Sequence, residues 1–184
     1  MRNGAIYYMK ISISTILSSF ALLSILGFAA PARAFNPQHL RQLLQTKECR
    51  GCDLSGVSLK QIDLSNADLR NSYLAGSDLE GANLSGAKLV RADLSNVNLS
   101  GAYLVAADFK QAFLTGANLR RADMRQTRLS FASLNSADLS FANLTGADLA
   151  GASMREANVI GVDLSKVVLN QTTLPDGRTS PRRN

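Results

Sequence analysis

The chain has 184 residues, with Lys+Arg 20 against Asp+Glu 14 for a formal net charge of +6, one His, two Cys and no Trp. Arg2, Lys10 and Arg33 lie in an N-terminal segment unlike the rest, and its removal would lower the charge to +3. Neither value suits a protein that wraps nucleic acid, and one His with two Cys falls short of the four ligands of a structural zinc site.

Residues 1–34 form that segment. Lys10 precedes an apolar run from Ile11 to Ala30, and Ala32-Arg33-Ala34 supplies the small-x-small site a signal peptidase needs. The expectation is a signal peptide cleaved after Ala34, with translation starting at Met1 or Met9 and no stable membrane span afterwards. The competing reading is an uncleaved anchor, because the 20-residue run is near the length that crosses a bilayer. The lack of Cys at the cleavage point argues against a lipoprotein, and the lack of a twin Arg favours the general secretory route.

Residues 35–49 carry a helix signature. Asn36 suits the N-cap, Pro37 the first helical position, and Leu40, Leu43 and Leu44 one apolar stripe. His39 reads as a surface residue of this helix. Cys49 and Cys52 follow, and three readings compete. A structural disulfide suits an oxidising compartment; a buried thiol pair suits their inward phase; a redox-active pair would need a thioredoxin-like setting that is absent. The structural disulfide is preferred.

From Leu54 to Leu174 an apolar residue recurs at every fifth position for 25 consecutive positions, of which 21 are Leu and the others Phe109, Met124, Met154 and Val159. Two residues before each stands a small or β-branched side chain, 15 of them Ala. A period of five fits neither a helix nor a strand, so it marks an internal repeat. Each unit must turn two apolar side chains inward and three polar ones outward. Four such sides close a square turn of twenty residues, and rungs stacked at about 4.8 Å give about six coils and a rod about 30 Å long.

The units Ala67-Asp68-Leu69, Ala82-Asn83-Leu84-Ser85-Gly86 and Ala147-Asp148-Leu149-Ala150-Gly151 resemble the pentapeptide repeat family. The resemblance covers residues 50–174. It implies an all-β solenoid, a right-handed quadrilateral β-helix with an N-terminal capping α-helix over 35–49. It implies no common catalytic residue. The segment from Thr46 to Leu54 is similar to cyanobacterial members, some of which enter the thylakoid lumen.

With residues twenty apart stacked, one outward column reads Asp68, Lys88, Asp108, Arg128, Asp148, an alternation in which each rung neutralises its neighbour. Another reads Asp63, Asn83, Tyr103, Asp123, Asn143, Asp163, with carboxylates spaced by amides and a tyrosine. Arg120, Arg121, Arg125 and Arg128 form a basic girdle suited to an anionic headgroup or acidic partner. The alternative is a collar balanced by Asp108, Asp123 and Asp138. Phe113, Phe131 and Phe141, with Tyr73 and Tyr103, fall at outward positions, as aromatics at protein contacts do.

The Val-rich last rung exposes an apolar edge, covered by the tail or by a second copy docked end to end. Residues 175–184 read as a mobile polar tail. No catalytic machinery, metal site or cofactor motif emerges. The expected function is therefore a non-enzymatic, exported protein-interaction scaffold of the periplasm or thylakoid lumen, acting on an unidentified protein partner and not on nucleic acid. The alternative is a DNA mimic that engages topoisomerases, an activity that the resemblance brings with it.

Overall fold

The computed structural model describes residues 35–182; the leader expected over 1–34 lies outside them. One helix, α1 (Pro37–Thr46), opens the described chain. Asn36 Oδ1 accepts the Gln38 N–H at 2.9 Å, satisfying one of the donors a helix start leaves free. The helix stops at Lys47, whose left-handed backbone (φ 57) lets its N–H reach the Leu43 carbonyl.

Beyond α1 the chain winds as a four-sided coil. Each side contributes one bridged residue at its centre, paired in parallel with the residue twenty further on: Glu48 with Asp68, Asp53 with Tyr73, Ser58 with Asp78, Asp63 with Asn83. We call these sides A, B, C and D. On side A six successive bridges carry the ladder from Glu48 to Val168. Between sides the backbone turns with positive φ at every fifth residue from Gly51 to Gly161. A bond such as Val57 N–H to Leu54 O (3.3 Å) closes each turn, the pattern of a type II turn.

This geometry explains why Asp and Asn dominate the centres of the sides. In the unit Cys52 to Gly56, Leu54 N–H bonds to Tyr73 O in the next rung and Gly56 N–H to Ala75 O. Ser55 N–H points at neither rung and is taken by Asp53 Oδ1 at 3.1 Å. The same bond recurs from Ser65 to Asp63, Ser85 to Asn83, Ser95 to Asp93 and Ala150 to Asp148. A short side-chain oxygen at the centre thus satisfies a donor that the ladder cannot reach.

The interior is the Leu and Ala ladder. From Leu54 to Met154 every residue of the five-residue series is buried. Such a ladder, at roughly 1.5 to 3 kcal/mol per buried Leu, stabilises a slender domain with no conventional core. Ser77, at an Ala position, is buried with no partner for its hydroxyl.

The two ends differ. At the first rung α1 buries Leu43 completely. It is held there by Asn36 N–H to Asp53 O (3.2 Å), Gln42 Nε2 to Glu48 O (2.7 Å) and Asp53 N–H to His39 Nδ1 (2.9 Å). His39 is therefore not the plain surface residue expected, because its ring nitrogen is an acceptor for the first rung. At the last rung the ladder breaks. Asn143 has no bridge to Asp163, where a 3-10 turn, Leu164–Lys166, replaces the corner and Asp163 Oδ1 accepts the Ser165 N–H. Val159, Leu164, Leu169 and Leu174 are only partly buried.

The segment read as a mobile tail is paired in part. Leu174 N–H bonds to Arg178 O at 2.7 Å across the Pro175–Gly177 turn, and Thr179 pairs antiparallel with Thr173. Ser180 is buried, donates its hydroxyl to Leu169 O and accepts the Thr172 N–H. The tail thus supplies partners for backbone groups of a rung with no successor.

Candidate interaction surface

Cys49 and Cys52 are joined by a disulfide, with both residues buried where α1 meets the first rung. The Cys49 Sγ lies 3.3 Å from the His39 carbonyl oxygen, a packing contact because a bonded sulfur has no proton to donate. The disulfide encloses Arg50 and Gly51. Arg50 reaches the next rung, where Nε meets Asp68 Oδ2 at 2.8 Å. Arg70 grips the same carboxylate with both arms, Nε to Oδ1 at 2.8 Å and Nη2 to Oδ2 at 2.6 Å.

Asp68 is 1% exposed. The Arg70 hydrogen bonds, opposed by burial and aided by Arg50, hold its carboxyl well below the usual carboxylate range. This clasp corrects one step of the side A column inferred from sequence, that from Asp68 to Lys88, whereas Asp108 and Arg128 of the same column do face each other. Asp68 is held by arginines from the neighbouring corner, and Lys88 forms no ion pair among the described residues. On side D the spacing by amides is seen: Asn83 Nδ2 donates to Asp63 Oδ1 at 3.2 Å. Lys47, through its hydrogen bond, holds the Asp63 carboxyl down to about 2.

The four girdle arginines are not equivalent. Arg120 pairs with Asp138 at 3.2 Å, and Arg125 grips Asp123 with two bonds of 2.8 and 2.7 Å. Arg128 lies 3.7 Å from Asp108. These are the three acids named above as the balance of the collar. Arg121 alone of the four makes no side-chain ion pair or hydrogen bond among the described residues. The girdle therefore offers one free guanidinium, and its paired members are exposed enough that solvent screens each pair and leaves it little weight in stability.

The aromatics stay outside. Phe113 is 54%, Phe131 68% and Phe141 55% exposed. Phe131 and Phe141 occupy corners with φ 62 and 60, a conformation that costs a bulky side chain about 1 kcal/mol or more. Each ring lies over a glycine one rung on: a Cβ on Gly151 would stand 2.6 Å from the Phe131 ring, and one on Gly161 2.6 Å from that of Phe141. The two are ten residues apart, on opposite corners of one coil. Phe113 stands at the centre of side B.

Sequence reasoning passed over one column. Side B reads Asp53, Tyr73, Asp93, Phe113 from the helix end upward, each bridged to the next. Reading the sequence at a step of twenty from Asp53 would have found it. Among the described residues no group of three or more His, Cys, Asp or Glu is placed to hold a metal ion, and no helix is long and apolar enough to cross a membrane.

A square coil of five-residue sides, bridged at a step of twenty and filled with Leu and Ala, defines the class: a quadrilateral β-solenoid. The sequence profile described as Pentapeptide repeats matches in 8 copies, over residues 48–86, 62–101, 102–140 and 132–171. The chain belongs to the pentapeptide repeat family, whose coil is right-handed.

Among solved structures, a trypsin-treated form of QnrB1, a plasmid-mediated fluoroquinolone resistance protein, is similar with a TM-score of 0.58 and 19% identity, covering 68% of each chain. A pentapeptide repeat protein (Rfr23) from the cyanobacterium Cyanothece is 29% identical, covering 71% of this chain and 97% of that one, with a TM-score of 0.36. One from the Arabidopsis thaliana thylakoid lumen is 25% identical, covering 73% and 74%, with a TM-score of 0.30. No curated protein matches in sequence.

Proposed function

We propose that the protein is an exported, non-enzymatic scaffold that presents the faces of a rigid rod to a protein partner in the periplasm or thylakoid lumen. The observation that carries this reading is where the polar groups go. The Asp and Asn oxygens close turns, and three of the four girdle arginines pair with aspartates of the coil. Chemistry needs polar groups held apart from such bonds and gathered in a cleft; here the groups left over are exposed aromatics and isolated charges.

Export rests on the Ala32-Arg33-Ala34 site after the apolar run. In this reading α1 is the cap of the first rung, and the disulfide ties cap to coil. Arg121, Phe131 and Phe141 stand as candidate contacts. The half-buried Val159, Leu164, Leu169 and Leu174 make the last coil a candidate homodimer contact. Light scattering that finds a strict monomer at high concentration removes that dimer.

The test of the scaffold reading is a crosslinking pull-down from the exported fraction. A specific protein partner is expected, and recovery of none, with the protein retained in the cytoplasm, overturns it. The alternative, a DNA mimic acting on topoisomerases, meets a net charge of +3 after leader removal, where a mimic of DNA needs a strongly acidic surface. In a gyrase supercoiling assay the protein should be inert.

A further inference from the structure

Side B differs from its neighbours in what is left unpaired. Its column alternates carboxylate and aromatic: Asp53, Tyr73, Asp93, Phe113. Tyr73 is 46% and Phe113 54% exposed. Asp93, half-buried between them, uses Oδ1 to accept the Ser95 N–H at 3.0 Å and meets no Lys or Arg among the described residues. Asp53 likewise uses Oδ1 for Ser55 and forms no ion pair among the described residues. On the other sides, Asp63, Asp68, Asp78, Asp108, Asp123 and Asp138 each have a cation, and Asp148, which has none among the described residues, fills its second oxygen with the Ser130 hydroxyl at 2.7 Å.

Tyr73, Asp93 and Phe113 line an open groove whose rim includes Arg91. That guanidinium is drawn along the corner to Gln111, Nε to Oε1 at 2.8 Å. The opposite flank is low and uncharged: its corner residues are Gly56, Gly76, Asn96 and Gly116, and a Cβ at Gly56 or Gly76 would meet nothing within 4 Å.

We propose that side B is a docking face for a cationic segment of a protein partner, with an Arg or Lys side chain lying between Tyr73 and Phe113 over the Asp93 carboxylate. The inference rests on the scaffold reading and assigns it a face and a partner chemistry. Charge complementarity selects the occupant: a carboxylate without a counterion, between two aromatic faces, attracts a cation through both the ion pair and the ring quadrupoles. The rings stand two rungs apart, about 10 Å, wide enough to admit a side chain between them. Asp53 repeats the carboxylate two rungs below Asp93. A polyproline-type segment, which returns to the same face every third residue after about 9 Å, brings cations three residues apart over both.

The chain has no Trp and four Tyr. Changing Tyr7, Tyr8 and Tyr103 to Phe in the full chain leaves Tyr73 as the sole tyrosine, so intrinsic fluorescence reports from the groove. The probe is the blocked peptide Pro-Pro-Arg-Pro-Pro-Arg-Pro-Pro, with the same peptide carrying Glu for Arg as control. The Arg peptide should shift the Tyr73 emission saturably, and more weakly in high salt; the Glu peptide should not. Asp93→Asn keeps an oxygen for the Ser95 N–H, as Asn98 does for Ser100 (3.2 Å), so the fold is retained. It should weaken binding about three- to tenfold. Arg91→Gln should strengthen it by removing a like charge.

No response to the Arg peptide, equal binding of the Glu peptide, or unchanged affinity in Asp93→Asn overturns the proposal. A pull-down that still captures its partner with Asp93→Asn and Phe113→Ala leaves the scaffold standing and removes this face from it. Loss of capture in those variants supports it.

Discussion

The first and last rungs are built on the same five-residue pattern and end up with different strengths. At the first, α1 buries Leu43, a disulfide closes the junction, and Arg50 reaches up to join Arg70 over Asp68 of the next rung. At the last, the bridge from Asn143 is missing, Leu164, Leu169 and Leu174 are half-buried, and the cover is a short hairpin anchored by Ser180. In a solenoid each rung touches only its neighbours, so end closures are local and can be tuned separately. The difference implies that unravelling starts at the C-terminal end.

The middle of the rod sets the scale. Leu104 is fully buried with a rung above and below, so Leu104→Asp should cost at least about 4 kcal/mol and abolish the cooperative melt. Leu164→Asp, where the side chain already meets water, should leave a folded rod by thermal circular dichroism. Equal loss from both would erase the distinction between a packed centre and a loose end.

The two closures can then be compared directly. Leu43→Ala opens a cavity between α1 and the first rung and should cost about 2 to 4 kcal/mol in urea unfolding. Leu164→Ala should cost about 1 kcal/mol or less, because little apolar area is lost. A reversed order would mean that the hairpin, and not the helix, is the stronger closure.

The Asp68 clasp sharpens the same contrast. Asp68→Asn leaves two guanidiniums without their shared carboxylate and should cost about 2 kcal/mol at neutral pH, less than a fully buried pair because both arginines reach solvent. The folded-state carboxyl titrates below its ordinary 3.8, so this contribution is complete above about pH 4 and is lost as the pH falls further. Stability measured from pH 6 to pH 2 should therefore fall more in the native chain than in Asp68→Asn. One small effect is expected to be a gain. Ser77→Ala removes an unpartnered buried hydroxyl and should raise stability by about 1 kcal/mol.

Much of this was legible beforehand because the signal is local and repeated. Leu84 and Ala82 announce an interior position whatever rung lies above, and Asn36-Pro37 announces a helix start from adjacent residues. The partners of the charged groups were not legible. The sequence column suggested Lys88 for Asp68, whereas the structure gives Arg50 and Arg70, because long side chains at a corner choose among several carboxylates within reach. His39 looked like a surface residue because nothing near it in sequence shows that Asp53 N–H points at its ring. The tail looked mobile because its composition is polar, and only the unsatisfied edge of the last rung gives Ser180 something to bind.

The amino-acid order by itself determined the coil, its phase and its inside, since a five-residue apolar period has one low-energy way to bury itself and every unit repeats the instruction. Tertiary structure decided which charges are cancelled and which are left for a partner. That outcome depends on residues eighteen or twenty apart, such as Arg120 with Asp138 and Arg128 with Asp108, which become neighbours only when the rungs are stacked. Among the described residues Asp93 stays without a cation for the same reason: its neighbours on the column are Tyr73 and Phe113.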